Sequence, residues 1–188
     1  HRVKNNLQTV AALLRLQARH VPEPGAAAAL AEAERRVAAI AVVHDLLAQA
    51  SSEEVPFDAV ADRLVSMVRH TASADIGGRA VARTGTFAEV RATRATALAI
   101  ALVELLANAV EHGQGSVQMR SYLDDAGVHV TVTDHGTGFP SGFDLAASPR
   151  LGLRIVDTLV REELGGTLTL GRTGDQTVVR VDLPPDQG

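Results

Sequence analysis

The sequence predicts an α+β protein, in which an N-terminal two-helix hairpin precedes a two-layer α/β sandwich. Apolar residues recur at three- and four-residue spacing through residues 1–50, with a proline-rich break in the middle. Beyond residue 55, helical and alternating patterns mix, and most strands read as hairpin partners. The 188 residues, 46% hydrophobic and 21% charged, suit a folded domain with a helical appendage. The expected division is a hairpin at 1–50 and a larger unit at 55–184.

In the first helix Val3, Leu7, Val10, Leu14 and Val21 form a seam. His20-Val21-Pro22-Glu23-Pro24-Gly25 should end it, because proline lacks an amide donor. Ala26, Leu30, Ala33, Val37, Ile40, His44 and Leu47 then continue the spacing in a second helix. Two such helices bury too little surface alone, so the pair is expected to dock on a copy of itself as a dimeric four-helix bundle. Gln49 to Glu54 is a polar joint. Asp58 to Thr71 reads as an amphipathic helix, Arg79 to Thr84 as a short strand and Thr93 to His112 as a long apolar helix. Strands at Ser116–Leu123 and Val128–Asp134 flank a turn at Asp124–Gly127. A Gly/Pro/Ser-rich loop spans Gly136 to Arg150. Leu151 to Leu164 is a helix stopped by Gly165-Gly166, and strands Thr167–Leu170 and Val178–Leu183 follow.

Composition excludes several chemistries. A formal charge of −4 without a basic block argues against direct nucleic-acid binding. Zero Cys removes disulfides, thiolate metal sites and a Cys nucleophile. The apolar stretch Ala95–Val110 is interrupted by Glu104 and Asn108, so no membrane span is expected. No signal peptide precedes the hairpin, and a cytoplasmic location is expected. The chain opens on His1 rather than Met, which reads as a fragment lacking its upstream part.

Three elements carry chemistry. On the long helix, Glu104, Asn108, Glu111 and His112 fall within one arc, and Ala97 and Ala101 on that arc leave room for a ligand. A carboxylate and an amide oxygen one turn apart can hold hydrated Mg²⁺; a solvated helix face fits the same pattern. Asp134 continues the apolar phase of Val128, Val130 and Val132, where an acid is costly unless paired. Such a buried carboxylate accepts a hydrogen bond from adenine N6 and repels guanine O6. Gly136 and Gly138 follow it, permitting positive φ and close backbone approach. Taken alone, D-x-G-x-G is also an ordinary turn. In Leu151-Gly152-Leu153, a helix start, Gly152 lets phosphate approach the first-turn amides.

This ordered set resembles the Bergerat (GHKL) ATP-binding fold of histidine kinases, Hsp90, gyrase B and MutL over residues 55–184. "VELLANAVEHG" is similar to its N box, "DHGTGFP" to its G1 box and "RLGLRIV" to its G2 box. The resemblance implies that ATP and Mg²⁺ bind, with Asn108 on the metal, Glu104 supporting the metal or its water, and Asp134 selecting adenine. It further implies that Gly136, Gly138 and Gly152 shape the nucleotide loops beside Leu151 and Leu153, and that residues 139–150 form a short ATP lid. Many histidine kinases carry Lys or Arg where Glu111 stands, so phosphate charge must be met by His112, Arg150 or Arg154.

"HRVKNNLQTVAALLRLQAR" resembles the H box of the second HisKA class, related to the HWE kinases. His1 lies nearly opposite the apolar seam, with Asn5 and Gln8 on its stripe, as an exposed phosphoacceptor requires. The resemblance implies a homodimeric two-component sensor kinase core that moves the γ-phosphoryl of MgATP to His1 and then to an aspartate of a response-regulator receiver domain. In the actinobacterial branch of the class, that regulator is expected to carry an RNA-binding ANTAR output. Arg2 stands where classical kinases place an acid, so no general base is named. Asn5 could orient a water for the reverse phosphatase reaction. The competing readings are a GHKL protein-serine kinase of the anti-sigma-factor type and a catalytically weak nucleotide-binding dimerisation module. His44 is expected to pack in the bundle; His20, His70, His129 and His135 receive no role.

Overall fold

A computed structural model of the chain describes residues 2–49, 53–75, 80–87, 89–145 and 151–185. The hairpin is present as α1 (Arg2–His20) and α2 (Pro24–Leu47). Pro24 begins α2 instead of interrupting the chain until Ala26, because a proline at the first helical position gives up only an amide that has no partner there. The larger unit runs β1 (Glu54–Pro56), α3 (Phe57–Asp75), β2 (Val81–Gly85), β3 (Glu89–Arg91) and α4 (Ala92–His112). It continues through β4 (Val117–Asp124), β5 (Gly127–Asp134), α5 (Leu151–Thr158), β6 (Thr167–Thr173) and β7 (Gln176–Leu183). The helix expected over Leu151–Leu164 is α5 followed by a π-helical turn, Leu159–Glu163.

Five strands form one mixed sheet in the order β2-β4-β5-β7-β6. Only β2 and β4 are parallel, joined by a crossover through α4; β4–β5 and β6–β7 are hairpins. β1 and β3 make a separate antiparallel pair of three residues each. One face of the large sheet is apolar: Val117, Met119, Val130, Val132, Val179 and Val181 pack against Leu98, Leu102, Leu105 and Leu106 of α4 in one core cluster. Period two puts His129, Thr131, Arg180 and Asp182 on the other face.

The hairpin departs from its expected seam. Ala11 is buried and Leu7 and Leu14 half-buried, but Val3 and Val10 are 53% and 45% exposed, with Leu13 and Leu16 at 55% and 53%. α1 therefore carries a second apolar stripe that nothing among the described residues covers. On α2 the expected seam residues Leu30, Val37, Ile40 and Leu47 are half-buried, as is His44. The buried positions are Ala39, Ala41, Val43 and Leu46, and Ala39, Val43 and Leu46 join the core cluster of the sandwich. α2 is thus held between α1 on one side and α3 and α4 on the other. Among the described residues, α4 is long and apolar enough to cross a membrane by composition, but its apolar surface is the centre of the sandwich.

Candidate functional site

Asp134 ends β5, and it is 7% exposed, directly opposite Thr177 of β7. Its Oδ1 accepts the amide of Gly136 at 2.6 Å. A Cβ on Gly113 would stand 2.6 Å from that oxygen, and one on Gly136 at 2.8 Å. The carboxylate is therefore nested between two backbones that only glycine can supply. The expected positive φ at Gly136 is not found; Gly138 has it, at 75°. Gly136 is needed for closeness and Gly138 for the turn.

Asp134 lines a cavity with Asn108 and His112 of α4, Thr177 of β7, and Gly138 and Phe139 of the loop. Leu105, Val132, Leu153 and Val179 supply apolar walls. Phe139 is backed by Phe143, ring centroids 5.1 Å apart. Two buried polar atoms in this cavity have no partner among the described residues, Nδ2 of Asn108 and Oγ1 of Thr177. Unpaired buried polar atoms are costly, so an orphaned amide and hydroxyl beside a buried acid mark where a polar ligand makes their bonds. Thr177 escaped the sequence reading because the strand was started at Val178. Its signal was the one Asp134 gave, a polar residue on the inward phase of Val179, Val181 and Leu183.

The helical stripe expected to be open is divided. Asn108 and His112 face the cavity, whereas Glu104 and Glu111 turn to the hairpin. Ala97 and Ala101 are 8% and 0% exposed and are packed, so they leave no room for a ligand. Glu104, 2% exposed, takes Nε of Arg36 on Oε1 at 3.0 Å and Nη2 on Oε2 at 3.3 Å. Burial pushes its carboxyl above the usual range, and Arg36 pulls against that shift. Glu111 pairs with Arg35 at 2.9 Å. The positive charge beside the N-box helix thus comes from α2, on partners 68 and 76 residues away, which local pattern could not reveal.

Gly152 is buried in the first turn of α5. A Cβ there would stand 2.4 Å from Oε2 of Glu104. The space expected to admit phosphate is therefore occupied by a carboxylate of the same chain. Leu153 reaches the cavity at 1% exposure, but Leu151 is 49% exposed and lies outside its lining. Arg154 is exposed. Asn5 is exposed on α1, where its carbonyl accepts the Thr9 hydroxyl at 2.9 Å. His1 and Arg150 lie outside the described residues.

For Mg²⁺ the fit is uneven. The amide of Asn108 is unsatisfied and can turn its oxygen to a cation, while Glu104 becomes a metal group only by giving up Arg36. Among the described residues, no group of three or more His, Asp or Glu side chains is disposed around a metal position.

His129, given no role from sequence, is clamped on the outer sheet face. Its Nδ1 is 2.5 Å from Asp182 and its Nε2 3.1 Å from Asp124, and Tyr122 stacks on its ring at 4.5 Å. The Asp182 bond raises its pKa, with Asp124 adding to the effect.

The chain is similar to known proteins in sequence and fold. Residues 1–72 match the HisKA_2 histidine kinase family, and residues 93–187 match the histidine kinase-, DNA gyrase B- and HSP90-like ATPase family. The sensor histidine kinase PdtaS of Mycolicibacterium smegmatis is 45% identical over 192 residues, 97% of this chain and 38% of that protein. PdtaS of Mycobacterium tuberculosis H37Rv is 44% identical over the same span. The blue-light-activated histidine kinase 2 of Erythrobacter litoralis is 30% identical over all of this chain and 56% of its own. This chain thus spans little more than a third of the PdtaS proteins it matches. Among solved structures, the histidine kinase domain of the E. litoralis EL346 blue-light-activated kinase superposes with a TM-score of 0.75 at 25% identity, covering 97% of this chain and 92% of that one. An orphaned amide on the N-box helix and a buried acid between two glycines, behind a hairpin that matches the HisKA_2 histidine kinase model, converge with these matches, and the chain belongs to the histidine kinase-, DNA gyrase B- and HSP90-like ATPase family.

Proposed function

We propose that this chain binds ATP in the Asp134 cavity and transfers its γ-phosphoryl group to His1, as the core of a two-component sensor kinase. The observation that carries the proposal is the convergence of Asp134, Thr177 and Asn108 on one apolar-walled cavity, two of them with unsatisfied buried polar atoms. Asp134 accepts from the exocyclic amine of adenine, where guanine would present an acceptor. The Thr177 hydroxyl makes a second contact to the ring, and Leu105, Val132, Leu153 and Val179 bury its faces. Asn108 stands towards the phosphates. Mg²⁺, when bound, neutralises phosphate oxygens, and Asn108 is the residue that would hold it, with Glu104 nearby.

In the transfer, a neutral imidazole nitrogen of His1 attacks the γ-phosphorus in line. An N–P bond forms, the P–O bond to ADP breaks, and the ring proton leaves to water. An imidazole is mostly neutral at pH 7, since its unperturbed pKa is about 6.5. The phosphoryl group then passes to an aspartate of a response-regulator receiver domain, one with an RNA-binding ANTAR output by the resemblance stated above. Asn5, four residues after His1 in sequence, orients water for the reverse reaction. The exposed stripe Val3, Val10, Leu13 and Leu16 supports a homodimer, in which a second hairpin completes a four-helix bundle. The reaction belongs in the cytoplasm, where ATP and the receiver domain are supplied.

Labelled ATP tests the reading. The expected product is acid-labile, alkali-stable label on the chain, absent from His1→Gln and from Asn108→Ala. Acid-stable label on an added partner would instead identify a serine kinase, and normal labelling of Asn108→Ala would remove Asn108 from the site.

A further inference from the structure

Arg35 and Arg36 stand side by side on α2, and each reaches a carboxylate of α4. Arg36 grips both oxygens of Glu104, at 3.0 and 3.3 Å, while its Nη2 also lies 2.9 Å from Glu32. Exposed ion pairs contribute little. This one is desolvated on both sides, with side-chain exposures of 17% for Arg36 and 2% for Glu104, and its fork is bidentate. The Arg35–Glu111 pair is more open, since Glu111 is 42% exposed. Glu104 lies one helical turn before Asn108, and its Oε2 fills the space over Gly152 at the start of α5. One carboxylate is therefore shared between the hairpin and the end of the cavity where phosphates are expected.

We propose that Arg36 is a latch between the hairpin and the ATP-binding unit, and that the metal–phosphate end of a bound nucleotide competes with its guanidinium for Glu104. The proposal rests on the nucleotide reading above. A divalent cation and a guanidinium on the same carboxylate repel each other, so occupancy by one weakens the other. Coupling of this kind is reciprocal: if nucleotide loosens the latch, cutting the latch tightens nucleotide by the same factor. Loading with ATP thus loosens one polar tie between α2 and α4 at the phosphate end of the cavity, while Ala39, Val43 and Leu46 keep their place in the shared core. Arg36 acts through Glu104 and is a positioning residue.

The test combines calorimetry of a non-hydrolysable ATP analogue with Mg²⁺ and amide hydrogen exchange over α2. It compares the unaltered chain with Arg36→Gln and Arg35→Gln. The expected result for Arg36→Gln is about tenfold tighter analogue binding, within the usual range of coupling. Its α2 exchange without nucleotide should match what the unaltered chain reaches only with the analogue. Arg36→Gln strands a buried carboxylate and can fail to fold. Arg35→Gln leaves only an exposed one, and should move both readouts in the same direction by a smaller factor. Affinity equal to or weaker than that of the unaltered chain in the folded variants, or α2 exchange of the unaltered chain that ignores the analogue, overturns the latch. If the unaltered chain binds no analogue, the nucleotide reading and the competition fall together; binding with unchanged exchange removes the latch alone.

Discussion

Oε2 of Glu104 stands 2.4 Å from the position a Cβ on residue 152 would take, so the start of α5 and the N-box helix meet through a carboxylate against a bare backbone. Without nucleotide Glu104 is held in place, because Arg36 bonds both of its oxygens and the side chain is 2% exposed. Gly152→Ala is therefore expected to destabilise the fold by about 1–3 kcal/mol, the usual cost of overpacking. Urea unfolding measures it, and a midpoint equal to that of the unaltered chain would show that Glu104 is not pinned.

Thr177 separates binding from stability. Thr177→Val keeps the shape and removes a buried hydroxyl that has no partner among the described residues. The fold is expected to be as stable or slightly more so, while ATP binds about three- to tenfold more weakly, the worth of one neutral hydrogen bond of about 0.5–1.5 kcal/mol. Thermal unfolding and calorimetry on the same samples check both halves.

Asp134→Asn replaces an acceptor-only group with one that also donates. The expected loss of ATP affinity is about ten- to a hundredfold, from a charge-assisted bond of about 1.5–3 kcal/mol. The preference over GTP should narrow as well, because the new amide can donate to guanine O6. Competition between the two nucleotides on the variant measures this.

The His129 clamp is expected to make stability depend on pH. Its pKa is raised from the ordinary 6.5, chiefly by the Asp182 bond, so its contribution is complete below 6.5 and lost as pH rises through the higher folded value. Asp182 is shifted the other way: burial raises its pKa, but its bonds to His129 and Arg180 outweigh that and leave it below 3.8. Its contribution is present above 3.8 and lost as pH falls through the folded value. The difference in Tm between the unaltered chain and His129→Gln should be greatest from about pH 4 to 6.5 and shrink on the alkaline side. A difference constant from pH 5 to 9 would contradict the clamp.

Where a side chain broke a local rule, the sequence was readable. Asp134 on an apolar strand phase, and Asn108 inside an apolar helix, both stood out, and both line the cavity. Helices and long strands were legible because their periods persist over several turns or alternations. β1 and β3, at three residues each, have no period to read. The divided α4 stripe was not legible either. Helical geometry places Glu104 and Asn108 one turn apart, but which of them meets the cavity depends on α2 covering one side, through arginines dozens of residues upstream. The need of Gly113 and Gly136 for a missing Cβ was not legible, since it arises from the Asp134 carboxylate between them. On α1, Val3 and Val10 were placed in one seam with Leu7 and Leu14 because spacing alone does not say which neighbour an apolar face meets.

The central claim is that Asp134, Thr177 and Asn108 form an adenine-nucleotide site. Calorimetric titration of the full chain with ATP and with GTP, each at millimolar Mg²⁺, tests it most directly. The account predicts one saturable site per chain for ATP, at least tenfold weaker binding of GTP, and a narrower preference in Asp134→Asn. Equal affinities for the two purines, or no heat from either, would contradict it.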